Sequence, residues 1–209
     1  MVVNYDVAYP VIQIISWILT ILLLTAFWFK LKRLISPNLI SKMAFSFLIM
    51  LLFNLICLPT GSGYTISCTG ILLVCILAGV NKSILLFAII RFILLLFFQY
   101  GKFGSMGYVI LLAILFHGIL GNFLLKKFKF KHTLIKFLII LISVNILILI
   151  FNYLITPTNW TFLDSDFFFI QTFNILLISL VESIISKMIL LQREQIKANI
   201  AKVNTDEMA

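Results

Sequence analysis

From residue 137 to residue 155 the chain reads FLIILISVNILILIFNYLI without a charge. Runs of this length decide what the chain can fold into, since about 17 to 25 apolar residues in a helix cross a bilayer and a globular core rarely needs so many. Composition agrees. Of 209 residues, 63% are hydrophobic and 11% charged, against about half and about a quarter in soluble domains. The sequence predicts an all-α, polytopic membrane helix bundle in a bacterial plasma membrane, with the bilayer as its main solvent.

Seven candidate spans follow: residues 10 to 29, 43 to 60, 63 to 80, 84 to 100, 108 to 125, 137 to 155 and 169 to 191. Only Asn81, Lys82 and Ser83 separate the third from the fourth, so those two could also form a tight hairpin or a partly re-entrant pair. The amino terminus MVVNYDVAYP lacks the basic region of a signal peptide, which makes the first run a retained helix. If that helix starts outside, every one of the 16 Lys and Arg residues except Arg91 and Lys102 falls on the cytoplasmic side, as the positive-inside rule requires. The predicted topology is N-terminus out and C-terminus in, with an odd number of crossings. The formal charge of +9 is explained in the same way, and no nucleic-acid partner is expected.

Polar residues inside the spans are the candidates for function, because a charge in hydrocarbon costs at least about 2.5 kcal/mol unless it is paired or wetted. Arg91, in FAIIRFILLL, lies mid-span; its alternative role is fixing helix packing. Glu182, in LISLVESIISK, could neutralise Arg91, bond its neighbours in protonated form, or reach the inner headgroups near Lys187. Ser179, Glu182, Ser183 and Ser186 share one helix face by spacing, a polar stripe expected to face protein. His117, in ILFHGILGN, and Asn145 lie at similar depth. Arg91, His117, Asn145 and Glu182 are therefore the predicted ligand-binding or polar core, with interhelical hydrogen bonding as the structural alternative. His132 belongs to a basic loop.

Catalytic motifs are not found: no phosphate loop, no Gly-x-Ser-x-Gly, no His-Glu-x-x-His and no paired intramembrane carboxylates. Cys57, Cys68 and Cys75 have no ligand spacing and read as small buried hydrophobes. No catalytic residue, metal site or cofactor is predicted, and the chain itself is not expected to be an enzyme. All nine glycines lie between residues 61 and 121, where small residues let helices approach or break.

The chain ends LLQREQIKANIAKVNTDEMA. From Ser183 to Val203 no Gly or Pro intervenes, so the last span is predicted to continue as a cytoplasmic helix. Ile189, Ile196 and Val203 are seven apart with Ile200 beside them, a weak heptad seam suited to signalling through a dimer. The division is then residues 1 to 191 as a membrane domain and 192 to 209 as a signalling helix or linker.

From about Thr69 onward, the segment LAGVNKS, the span with Arg91, the glycine-bearing fifth span, the basic loop and the terminal helix resemble the five-transmembrane LYT-type sensor domain. Such domains precede bacterial histidine kinases similar to sporulation kinase B, or GGDEF diguanylate cyclases. The ending AKVNTDEMA resembles the linker before a GGDEF domain at Asn204, Thr205, Asp206 and Glu207. SCTG stands where Asp-Leu-Arg is often found. The resemblance implies a two-component-type receptor and signal-transduction module, a homodimer that senses a small molecule or peptide. Its activity would lie in an absent C-terminal kinase or cyclase domain. Two other readings stay open: a substrate-binding subunit of an energy-coupling-factor vitamin importer, for which six helices and two cytoplasmic ends are expected, and a structural membrane partner whose basic loops dock on anionic lipid.

Overall fold

The computed structural model describes residues 10–32, 37–59, 65–98, 103–128, 132–155 and 165–206. Helices α1 (Pro10–Lys32) and α2 (Pro37–Leu55) each begin at a proline, where the missing N–H would have no intrahelical partner anyway. After α2 the chain makes a short antiparallel hairpin, β1 (Cys57–Pro59) and β2 (Thr65–Ser67), with Leu58 opposite Ile66. Cys68 N–H donates to the Ile56 carbonyl at 3.1 Å and extends the ladder. Helix α3 (Ile71–Ala78) follows, then α4 (Val80–Phe98).

Helix α5 (Phe103–Leu112) passes without a break through a π-helical stretch, Ala113–Gly121, into α6 (Asn122–Lys127). Helices α7 (Thr133–Ile155) and α8 (Ser165–Asp206) complete the order. Among the described residues five helices are long and apolar enough to cross a membrane, and Ile40–Leu55 is a shorter apolar helix. The protein is a multi-pass helical membrane bundle.

The third predicted span, 63 to 80, is interrupted. Its described part is a strand of three residues, a turn and a helix of eight; at 1.5 Å per residue such a helix reaches about 12 Å, well short of a hydrocarbon layer of about 30 Å. Glycines at both of its ends set these limits. Gly70, with φ 66°, lies in the left-handed region, and Gly79, with φ 94° and ψ 157°, adopts a conformation essentially confined to glycine. Nothing lies within 4 Å of a Cβ built at Gly79, so that glycine is required by backbone shape alone.

The start of the half-span is nonetheless closely covered. Ile71, Leu72, Leu73 and Val74 are fully buried. Met50 and Phe53 of α2, Phe87 and Ile90 of α4, and Ile175 and Ile178 of α8 belong to the same apolar cluster as Ile71, Leu73 and Val74, while Leu72 packs with Phe137, Leu141 and Val144 of α7. Helix α1 lies against α4 and α5: Thr20 Oγ1 donates to the Gly107 carbonyl at 2.8 Å, and a Cβ at Gly107 would come within 2.7 Å of the Trp17 ring. Outward apolar side chains such as Ile18, Leu22, Phe97 and Ile150 are exposed, as lipid contact allows.

The interruption gives a direct test. Gly79→Ala should destabilise the protein by about 1–3 kcal/mol, since only strain and no clash is introduced. Thermal unfolding in detergent should show a lowered midpoint, and an unchanged midpoint would contradict the backbone shape described.

Candidate functional site

Helix α8 carries the polar stripe that its spacing predicts, and Ser179, Glu182, Ser183 and Ser186 are all buried, none more than 1% exposed. Two separate polar centres are built on that stripe, one turn apart.

The first joins the π-helical stretch, α7 and α8. His117 Nε2 lies 3.1 Å from Asn145 Oδ1, and Asn145 Nδ2 donates to Ser179 Oγ at 3.0 Å. Because the amide nitrogen is used on Ser179, the oxygen faces the imidazole, and His117 must donate from Nε2. Ser183 Oγ donates to the Ser179 carbonyl at 2.6 Å. π-helical stretches often mark functional positions. This one occurs where Gly118 and Gly121 admit close neighbours: Cβ atoms there would lie 2.9 Å from Ile84 and 2.5 Å from Leu72.

The second centre is Glu182. Its Oε2 accepts from Thr69 N–H at 3.1 Å, and its Oε1 accepts from Gly70 N–H at 3.0 Å and from Thr69 Oγ1 at 3.4 Å. Thr69 and Gly70 immediately precede α3, so the carboxyl group caps that helix from another element. A carboxylate there also meets the positive end of the helix dipole. Asn54, on α2, holds the other side of the same residue: its Nδ2 donates to the carbonyls of Met50 and Thr69, at 2.9 and 3.3 Å.

Glu182 and Arg91 form no ion pair. Arg91 is 4% exposed and lies on α4, its guanidinium 5.9 Å from the centroid of the Phe87 ring one turn earlier, within cation–π range. Glu182 does not reach toward Lys187 either, since it is buried and bound to Thr69 and Gly70 while Lys187 is exposed. Of the four predicted core residues, then, His117 and Asn145 meet directly, Glu182 lies one turn away on α8, and Arg91 is separate from Glu182.

Cys68 and Cys75 are buried. Cys75 Sγ contacts Ser83 Oγ at 2.9 Å, and Cys68 Sγ lies 3.9 Å from the Ile178 carbonyl. Among the described residues no group of three or more His, Cys, Asp or Glu side chains could hold a metal ion. On the terminal helix Ile189 packs against the core cluster, Ile196 and Ile200 are exposed, and the side chain of Val203 lies outside the described residues. Thr69, Gly70 and Asn54 were not singled out by the sequence reading; two glycines bracketing an apolar run of only eight residues were the available signal.

No protein-family model and no curated protein match the sequence. Solved structures do. A truncated transition metal transporter superposes with a TM-score of 0.72 at 14% identity, over 90% of this chain and 95% of that one. A second transition metal transporter gives 0.69 at 14% identity, covering 90% of each chain. The fold is shared along nearly the whole length.

This corrects the resemblance to LYT-type sensor domains, and with it the histidine kinase, two-component and sensor readings. The fold is that of the two transporters. A small-residue segment, an intramembrane Arg, a glycine-bearing span, a basic loop and a long last helix carried the resemblance, and each follows from membrane insertion and charge sidedness and is common to helical bundles of other folds; the match in the ending was four residues long, Asn204, Thr205, Asp206 and Glu207. LAGVNKS itself is the end of α3, the Gly79 turn and the start of α4.

Asn145 gives the test of the first centre. Asn145→Leu removes the bond to His117 and the bond to Ser179 together, and should cost about 1–2 kcal/mol, between the mean interhelical bond in membranes and the cost of buried groups left unmatched. A double-mutant cycle with Ser179→Ala, read by unfolding in detergent, should give a coupling of roughly 0.5 kcal/mol or more; additive losses would contradict the contact.

Proposed function

We propose that this chain is a membrane-embedded transporter subunit that takes a small solute into the polar core between the π-helical stretch, α7 and α8. The observation that carries the reading is the shared fold with two transition metal transporters over 90% of the chain. Two local features support it. Buried polar side chains are expensive in a bilayer and tend to mark solute pathways, and interrupted helices at membrane depth recur at transporter binding sites. Here an interrupted span lies against the helix that carries His117.

A transition-metal ion is the cargo that the neighbours suggest. A small polar organic solute, as in vitamin importers, is the second reading, favoured by the donor set. The first centre offers one imidazole, an amide and hydroxyls, whereas first-row metals are usually held by several imidazole or thiolate groups.

Uptake by cells expressing the chain separates the two. Elemental mass spectrometry of the cells should show accumulation of one transition metal of at least about threefold if the ion is cargo. Metabolite mass spectrometry should show one organic solute raised instead if it is not. His117→Ala should return either signal to the level of empty cells. No change in any metal or solute, with the protein present in the membrane, would overturn the transporter reading.

A further inference from the structure

Helix α3 is a segment of eight residues between Gly70 and Gly79, and among the described residues these are the glycines with positive φ. Such positions absorb large backbone rotations at little steric cost. At its far end α3 meets α4 at Gly79, whose N–H donates to the Cys75 carbonyl and whose carbonyl accepts from Ser83 N–H, with Cys75 Sγ 2.9 Å from Ser83 Oγ beside this joint. At its near end the polar holds are on Thr69 and Gly70, from Glu182 and Asn54.

Burial of Ile71 to Val74 does not by itself fix α3 in place. Inside a bilayer the alternative to protein contact is hydrocarbon, so burial adds packing but little hydrophobic driving force. The polar hold therefore carries a larger share of the restraint than it would in water.

What α3 covers gives the restraint a use. Leu72 sits on Gly121, where a Cβ would be 2.5 Å from Leu72 Cδ2, and Gly121 is one turn from His117. On α8, Glu182 is likewise close to one turn beyond Ser179, which holds Asn145. Withdrawing the start of α3 would uncover the helix face beside the first polar centre.

We propose that the half-span Ile71–Ala78 is a hinged element turning on Gly70 and Gly79, and that Glu182 is the positioning residue that latches it over the polar core. As a gate for cargo the element rests on the transport reading; as a latch it does not.

Cys68 offers a lock that leaves Glu182 intact, because its sulfur already lies 3.9 Å from the Ile178 carbonyl. With Cys57 and Cys75 changed to alanine and Ile178→Cys introduced, Cys68 can be joined to α8 by a disulfide or a short thiol-reactive bridge. Amide hydrogen exchange in lipid nanodiscs, read over residues 69 to 78 with α7 as reference, tests the latch. The unlocked protein should exchange this segment at least tenfold faster than the locked one, α7 being unchanged. Glu182→Gln should raise the unlocked rate at least tenfold further and lose that gain when locked. Equal exchange in locked and unlocked protein overturns the proposal, and if Glu182→Gln does not fold, this comparison decides it alone. Cargo uptake should stop on locking and return on reduction; uptake that continues in the locked protein, with exchange suppressed, overturns the gating role. No uptake in any form, including the unaltered chain, contradicts the transport reading, and the exchange comparison still decides the latch.

Discussion

The fold depends on how an interrupted span is made tolerable inside a bilayer. Hydrocarbon offers no hydrogen bonds, so backbone N–H groups at the start of a broken helix must be matched by protein. The Glu182 carboxyl group does this for Thr69 and Gly70, and Asn54 holds the Thr69 carbonyl. A buried acidic group and a buried helix start, each costly alone, thereby satisfy one another. That mutual need explains why Glu182 meets α3 and not Arg91.

Helix α8 organises the bundle for a related reason. Its 42 residues give it a length of about 63 Å, roughly twice the hydrocarbon thickness. Its buried face presents Ser179 to α7 and Glu182 to the half-span, one turn apart. The helix that holds the His117 centre together is the helix that fixes the element covering it. A displacement of α3 would thus act beside the His117, Asn145 and Ser179 network without passing through distant parts of the structure.

Much of this was legible in the sequence. Apolar runs defined the membrane bundle, and the spacing of Ser179, Glu182, Ser183 and Ser186 marked one face of the last helix because periodicity of 3.6 is a local property. His117 and Asn145 were conspicuous because polar groups are rare at that depth. The partners were not legible. Whether Glu182 meets Arg91 or Thr69 depends on helix order in space, which no local pattern encodes. The hydropathy of residues 63 to 80 suggested a crossing helix, since apolar content is the same in a span and in a half-span buried by its neighbours. The likeness to sensor domains rested on features that bilayer insertion imposes on many folds, and the superposition with transition metal transporters replaced it.

On the proposed transport reading these features have a common purpose: a buried polar centre, an interrupted helix beside it, and one carboxyl group joining that helix to α8. The most direct measurement is the structure of the Glu182→Leu variant in lipid nanodiscs, which keeps bulk at position 182 and removes both acceptors. The account predicts that the segment from Thr69 to Ala78 leaves α8 while α1, α4 and α7 superpose on their present positions. A variant in which Thr69, Gly70 and α3 remain where they are now would contradict it, because the half-span would then be held by packing alone.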